Sequence, residues 1–215
     1  ACAPFRRLHL CNKNMENMDT NNNDGKAKHN LLAEVCMAAN YEAESLIRYH
    51  PQYKLTYGDS QICTMLARSF ADIGDIVRGK DLYLGNKKKS ENKREKEKLE
   101  NKLKEYFEKI YNSLERSIKS QYDEDKNFFK LREDWWDANR ETVWKAMTCS
   151  EDLKNSSYFH ATCNDTGQGP SQTHNKCRCK DENGKNAGKG SDDVSIVPTY
   201  FDYVPQYLRW FEEWA

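Results

Sequence analysis

Eight cysteines, scattered along a chain that otherwise reads as charged, aromatic-studded helices, constrain the fold more than any other feature. They stand at Cys2, Cys11, Cys36, Cys63, Cys149, Cys163, Cys177 and Cys179, an even number, most of them separated by helix-length stretches. Such spacing suits disulfides between helices better than the paired knuckles of zinc sites, and disulfides persist in oxidising compartments. The chain is therefore expected outside the cell. At 215 residues it can build one sizeable domain or two small ones. Only 37% of the residues are hydrophobic and 32% are charged, so the core is thin, and covalent staples contributing about 2–4 kcal/mol each would compensate. The 34 Lys and Arg balance 34 Asp and Glu, which removes any whole-chain attraction to nucleic acid or to a membrane surface. No stretch approaches the ~20 apolar residues of a membrane span. Ala1-Cys2-Ala3-Pro4 is no signal peptide, so secretion and anchoring signals are expected elsewhere in a longer protein.

The hydrophobic periodicity predicts helices. The opening segment ACAPFRRLHLC reads as an irregular loop, and Asn21-Asn22-Asn23-Asp24-Gly25 breaks the chain. From about Lys28, the spacing of Leu31, Leu32, Val35, Cys36, Ala39 and Ala43 predicts a helix that His50-Pro51 should end. A second runs from about Ser60 to Val77, with Ile62, Cys63, Leu66, Phe70, Ile73 and Val77 on one stripe and Gly79 near its close. Leu99, Leu103, Tyr106, Ile110, Leu114 and Ile118 predict one long helix over Ser90 to Gln121, which begins in a basic run. A fourth, from about Lys126 to Cys149, should bury Phe129, Leu131, Trp135, Trp136, Val143, Trp144 and Met147. Residues 150–197 turn rich in Asn, Gly, Ser, Lys and Asp and read as a long loop cross-linked by its own cysteines, in part disordered. A last helix starts near Pro205 and carries Tyr207, Leu208, Trp210, Phe211 and Trp214, a face that asks for a packing partner beyond Ala215. The fold class is all-α: a disulfide-stapled helical bundle with long irregular loops.

Motifs for chemistry are weak. Gly74-Asp75-Ile76-Val77-Arg78-Gly79-Lys80-Asp81 nearly spells a phosphate-binding loop. However, Asp81 replaces the magnesium-holding hydroxyl and the segment ends a helix, so a glycine-capped terminus is the better reading. His160-x-x-Cys163 and His174-x-x-Cys177-x-Cys179 could supply a tetrahedral zinc, against a disulfide-stapled loop with two incidental histidines. No catalytic arrangement is legible, so no enzyme activity, cofactor or metal is expected. Between Lys87 and Lys104 nine cations face four glutamates. This run, with Lys87, Lys88, Lys89, Lys93 and Arg94 foremost, could meet a sulfated glycan, although a solvated helix end is the plainer account. Arg6 and Arg7 form a smaller basic spot. Asn155-Ser156-Ser157 and Asn164-Asp165-Thr166 match the N-glycosylation pattern and mark exposed loops.

The blocks CAPFRRLHLC, LLAEVCMAANYEAESL, CTMLARSFADIGDIVRGKDLY, LREDWWDANRETVWKAMTC and VPTYFDYVPQYLRWFEEWA, in that order, closely resemble Duffy-binding-like domains. The likeness is to the alpha type found in the variant erythrocyte membrane proteins of Plasmodium falciparum. The resemblance implies an adhesion domain on the outer face of the infected erythrocyte, within a larger transmembrane protein and truncated here at both ends. It implies that residues 1–25 end a first subdomain, 26–170 form a helical second, 171–194 are a flexible loop and 195–215 begin a third. It implies binding of a host-cell protein or glycan receptor in rosetting or cytoadherence: heparan-sulfate-like glycans, blood-group sugars or complement receptor 1. Arg6, Arg7 and the lysine run would then be glycan contacts. Antibodies are further expected partners, while nucleic acid and direct membrane insertion are not. The alternative is a structural and antigenic spacer whose neighbours bind. By the same likeness Cys63 should pair with Cys163; Cys36 with Cys149 is a second expected bridge, since both stand on helix faces expected to pack together. Cys2 and Cys11 would have partners upstream, and Cys177 and Cys179 are left unassigned.

Overall fold

A computed structural model describes residues 2–20, 25–56, 58, 61–85, 95–163, 170–173, 175–179 and 196–214. Among them, helices follow in the order α1 (Phe5–Leu8), α2 (Lys13–Glu16), α3 (Ala27–Thr56), α4 (Ile62–Arg78), α5 (Glu95–Ser113), α6 (Arg116–Lys119), α7 (Phe129–Met147) and α8 (Gln206–Trp214), with 3-10 turns at Glu151–Leu153 and Phe201–Tyr203. No strand is present among the described residues, so the all-α reading holds.

Helix α4 lies at the centre because its sequence is apolar on more than one side, and from Ser69 to Arg78 every residue is buried. It packs against α3 and α7. Phe70 sits between Trp136 and Trp144, with ring centroids 5.1 Å away in each case. Gly74 lets Trp136 come this close, since a Cβ there would stand 2.7 Å from the indole. Leu99, Leu103, Phe107 and Ile110 of α5 complete the same core, as do Leu10, Met15 and Met18 from the N-terminal segment and Ile196 and Val197 near the C-terminal end. Each large side chain so buried contributes roughly 1.5–3 kcal/mol.

Several element boundaries differ from the sequence expectation. Residues 5–8 are a helical turn inside the segment read as irregular, and residues 13–16 form a second one just beyond it. Helix α3 runs through Pro51 to Thr56. Pro51 leaves the Ile47 carbonyl without an amide donor, a loss the helix tolerates here, and the residues that follow, 51–56, are all exposed. The expected helix over 90–121 is broken. Among its described residues α5 stops at Ser113, whose hydroxyl donates to the Ile110 carbonyl (2.7 Å), and Glu115 is extended before the single turn of α6. The buried stripe ends at Ile110 and Ile118 is exposed, so nothing rewards continuing the helix. Helix α7 begins at Phe129, where the Asp125 carboxylate accepts from the Lys130 and Asn127 amides. Phe129 itself is exposed, unlike the other six residues expected on the buried face. At the end of α4, Gly79 takes a left-handed conformation (φ 75°) and donates to Ile76, while Lys80 donates to Asp75. This is a helix stop, and the phosphate-loop resemblance ends with it.

The disulfides correct the expected pairing. Cys63 joins Cys177, and Cys163 joins Cys179. The reason is local. Trp144 donates its indole N–H to the Cys177 carbonyl (3.1 Å), and the Cys177 amide donates to Ser156. These bonds seat Cys177 against the first turn of α4, and Cys163, bridged to Ser171, is left to its neighbour Cys179. Cys36 and Cys149 carry no bridge in the structure. Their thiols lie along the α3/α7 seam, Cys36 by the Thr142 carbonyl and Cys149 by Asn40. Cys2 and Cys11 are also unbridged. Within the loop expected to be flexible, residues 171–173 and 175–179 hold defined positions; 174 and 180–194 lie outside the described residues.

Candidate functional surface

The chemistry of the chain is concentrated on the face of α4 opposite its hydrophobic contacts. Asp72 and Asp75 stand one turn apart there and Arg78 follows, all three buried. Arg6 donates to Asp72 (2.7 Å), to the Ser69 hydroxyl (2.9 Å) and, with two nitrogens, to Glu213 (3.0 and 2.9 Å). Arg209 donates to Asp72 (2.7 Å) and Asp75 (2.5 Å), and Arg78 donates to Asp75 (3.0 Å). Arg7 pairs with both oxygens of Asp81 (3.1 and 2.5 Å), and Gln206 donates to Asp72 and Asp81 while accepting from the Leu82 amide. Behind them Arg140 holds Asp202 with two bonds (2.7 and 2.8 Å), and Trp136 donates to the same carboxylate (2.9 Å). Five arginines thus meet four aspartates and Glu213, a balance that lets so many charges leave water together.

The protonation of this face follows from its neighbours. Burial works against ionising Asp72, but Arg6 and Arg209 outweigh it and hold the carboxyl below its usual range. Asp75, which shares Arg209 with Asp72, is pushed up to about 6 by burial, with the Asp72 charge adding to the effect. Burial also raises Glu42, although Ser69 (2.6 Å) and the Cys11 amide (3.0 Å) donate to it.

These partners overturn one expectation. Arg6 and Arg7 are not a basic surface spot. Both guanidinium groups are buried in ion pairs, and they fasten the N-terminal segment to α4. Lys87, Lys88, Lys89, Lys93 and Arg94 lie outside the described residues. The zinc reading fails because Cys163, Cys177 and Cys179 are all spent in disulfides, and no cluster of metal-ligand side chains occurs among the described residues. Of the two glycosylation patterns, Asn155 is exposed in a left-handed turn (φ 64°), and Asn164 lies outside the described residues. The sequence reading missed Asp72, Asp75, Gln206, Arg209 and the Arg140–Asp202 pair. The available signal was the placing of acids at positions 72 and 75 within the most apolar helix, where burial demands a cation.

Two surface features remain. A cleft of about 380 Å³ opens between the N-terminal segment, the end of α4 and the start of α5. Its lining includes Leu10, Ile76, Leu99 and Leu103, together with Lys13, Glu16, Glu95 and Lys96, charges of both signs that give no field for a polyanion. On α8 the buried positions are Gln206, Arg209 and Trp210, whereas Tyr207, Leu208, Phe211 and Trp214 face outward, 46–71% exposed.

The Duffy binding domain family matches residues 1–209, nearly the whole chain. The chain belongs to the Duffy binding domain family. Its structure resembles the NTS-DBL1(alpha-1) domain of Plasmodium falciparum membrane protein 1 (PfEMP1) from the varO strain, with a TM-score of 0.72 and 41% identity, covering 100% of this chain and 43% of that one. It also resembles a PfEMP1 DBLb domain solved bound to human ICAM-1, with a TM-score of 0.65 and 31% identity over 97% of this chain and 38% of that one. A third similar structure is the ICAM-1-binding DBLbeta domain of the IT4var13 PfEMP1, at a TM-score of 0.63 and 30% identity over 99% and 42% of the two chains. This Duffy binding domain therefore spans less than half the length of these solved chains. No protein with a curated description matches it. No helix among its described residues is long and apolar enough to cross a membrane.

Proposed function

We propose that this Duffy binding domain is an adhesive scaffold on the outer face of the infected erythrocyte, gripping a receptor on a host cell. The observation that supports it most is the likeness, along 97% of the chain, to a PfEMP1 domain held by human ICAM-1. The interior fits a scaffold role. Its arginines and acids are consumed in pairs that fix the relation of the N-terminal segment, α4 and α8. The receptor class favoured is a protein, gripped by exposed side chains around a stapled helical frame. Glycan recognition rests on Lys87, Lys88, Lys89, Lys93 and Arg94, since Arg6 and Arg7 are occupied inside the fold.

The test is binding of the non-reduced domain, within its longer protein, to intact erythrocytes and to immobilised ICAM-1, with and without heparin across a salt series. Binding that persists at high salt and ignores heparin supports a protein receptor. Binding that falls steeply with salt, is blocked by heparin and is lost on changing Lys87, Lys88 and Lys89 to Glu assigns the grip to the lysine run. Absence of binding to either target refutes the adhesive reading and leaves the spacer role.

A further inference from the structure

The edge of the fold just past α7 carries a feature that the scaffold contacts leave unused. After the 3-10 turn Glu151–Leu153, Lys154 (φ -56°, ψ 132°) and Asn155 (φ 64°) form the centre of a turn, closed by the Ser156 amide on the Leu153 carbonyl (3.0 Å). The third position of such a turn needs a left-handed residue, and asparagine is among the few side chains that accept it. The turn is also held from outside. The Asn155 amide donates to the Asn175 side chain (2.9 Å), the Lys176 amide to the Leu153 carbonyl (3.2 Å) and the Cys177 amide to the Ser156 carbonyl (2.9 Å). Its backbone is thus fastened to the segment that the Cys63–Cys177 bridge staples to α4.

The side chains are not spent in the same way. Asn155 and Ser157 are both exposed, and among the described residues neither the Asn155 carboxamide nor the Ser157 hydroxyl has a hydrogen-bond partner. The left-handed turn by itself accounts for an asparagine at 155. It gives no reason for a hydroxyl two residues on, between Ser156 and Tyr158, whose backbones are fixed by Cys177 and Thr173. Asn155-Ser156-Ser157 is the pattern that N-glycan transferases read, and it stands in a chain whose disulfides belong to an oxidising, secretory compartment.

We propose that Asn155 is an N-glycan acceptor and that the folded domain carries the sugar there without rearrangement. In the transfer, the Asn155 carboxamide nitrogen bonds to the anomeric carbon of an oligosaccharide delivered on a lipid pyrophosphate. The bond from that carbon to the pyrophosphate oxygen breaks, the lipid pyrophosphate leaves with the electron pair, and the nitrogen gives up one proton. The Ser157 hydroxyl is the group by which the transferase recognises the site. The fold accommodates the product because the carboxamide starts at solvent. A sugar on it displaces no interior contact, and the bonds that hold the turn run through the backbone of residues 153–156 and the Asn175 side chain.

The longer protein, made in a eukaryotic secretory host and kept non-reduced until its disulfides are mapped, tests this. Enzymatic removal of N-glycans in heavy-oxygen water turns each occupied asparagine into a heavy aspartate, and fragmentation of the tryptic peptide 155–176 assigns it to residue 155 or 164. Heavy aspartate at 155 is expected in molecules that keep the Cys63–Cys177 bridge. It should persist in Ser157→Thr and disappear in Ser157→Ala, an exposed position where the fold loses no bond. An unmodified Asn155 in the parent, a label that survives Ser157→Ala, or glycosylated molecules that lack the Cys63–Cys177 bridge overturns the proposal.

Discussion

Alanine at both Cys63 and Cys177 is expected to cost distinctly more than alanine at both Cys163 and Cys179. The first bridge spans 114 residues and encloses α4, α5 and α7, whereas the second spans 16 and closes a surface loop. In the chain-entropy account a loop of the first length is worth roughly 4.8 kcal/mol at 25 °C and one of the second roughly 3.1. All four cysteines are at most 1% exposed, so the packing lost with the sulfur atoms is similar and cancels in the comparison. What remains is a difference of about 1.7 kcal/mol. Urea unfolding of the two double variants beside the parent, in non-reducing buffer, reads it directly. The connectivity can be checked on the same material, because trypsin cuts after Lys176, Arg178 and Lys180 and so parts Cys177 from Cys179. A Cys63 peptide carrying the Cys163 fragment, or a smaller loss for the Cys63/Cys177 variant than for the other, would refute both the pairing and the reasoning.

Three further outcomes follow from the interior. Arg132→Leu should cost about 3–5 kcal/mol by denaturant midpoint. The guanidinium is fully buried, donates to the Ile76 and Val77 carbonyls at the end of α4 and binds both oxygens of Glu100 (2.6 and 3.0 Å), and leucine strands all of them. Gly74→Ala should lower the thermal midpoint although alanine is the better helix former, because the new methyl meets Trp136 at 2.7 Å. Gly58→Ala, with nothing within 4 Å, should leave the midpoint unchanged. Glu42 is raised by burial, so the folded state holds its proton at pH values where the unfolded chain has released it. Its contribution favours folding most at low pH and declines as pH rises from the ordinary carboxylate range through the raised folded value. Glu42→Gln should therefore lose stability less steeply than the parent over that window, as read from urea midpoints at a series of pH values.

The bundle was legible because apolar periodicity is a local property. The stripes of α3, α4 and α7 could be read from residues three and four apart, and the core formed where they pointed. The polar interior was not legible for the converse reason. Asp72 meets cations that stand 66 and 137 residues away, at Arg6 and Arg209. Nothing within one turn of Asp72 announces either partner. Residue type alone suggested that Arg6 and Arg7 face water, and only Asp72 on α4, Asp81 just past it and Glu213 on α8 reverse that. The disulfides failed similarly. Eight cysteines permit on the order of 105 pairings. The choice here turns on one indole, Trp144, which places the Cys177 carbonyl and with it the thiol against α4.

The fastenings of the described residues converge on α4. Cys63 on its first turn holds the segment around Cys177, Asp72 and Asp75 hold α8 and the N-terminal segment, and the carbonyls of its last turn are held by Arg132 of α7. Each attached segment reaches α4 through its own contacts. The N-terminal segment and α8 also touch each other, through the Arg6–Glu213 pair and the Trp214 indole on the Cys2 carbonyl, while a change on α4 reaches every attached segment. Charged and covalent contacts also fix orientation more narrowly than apolar ones, since a guanidinium that binds two carboxylate oxygens accepts little rotation. The directional contacts of the described residues thus lie inside the fold, on and around α4.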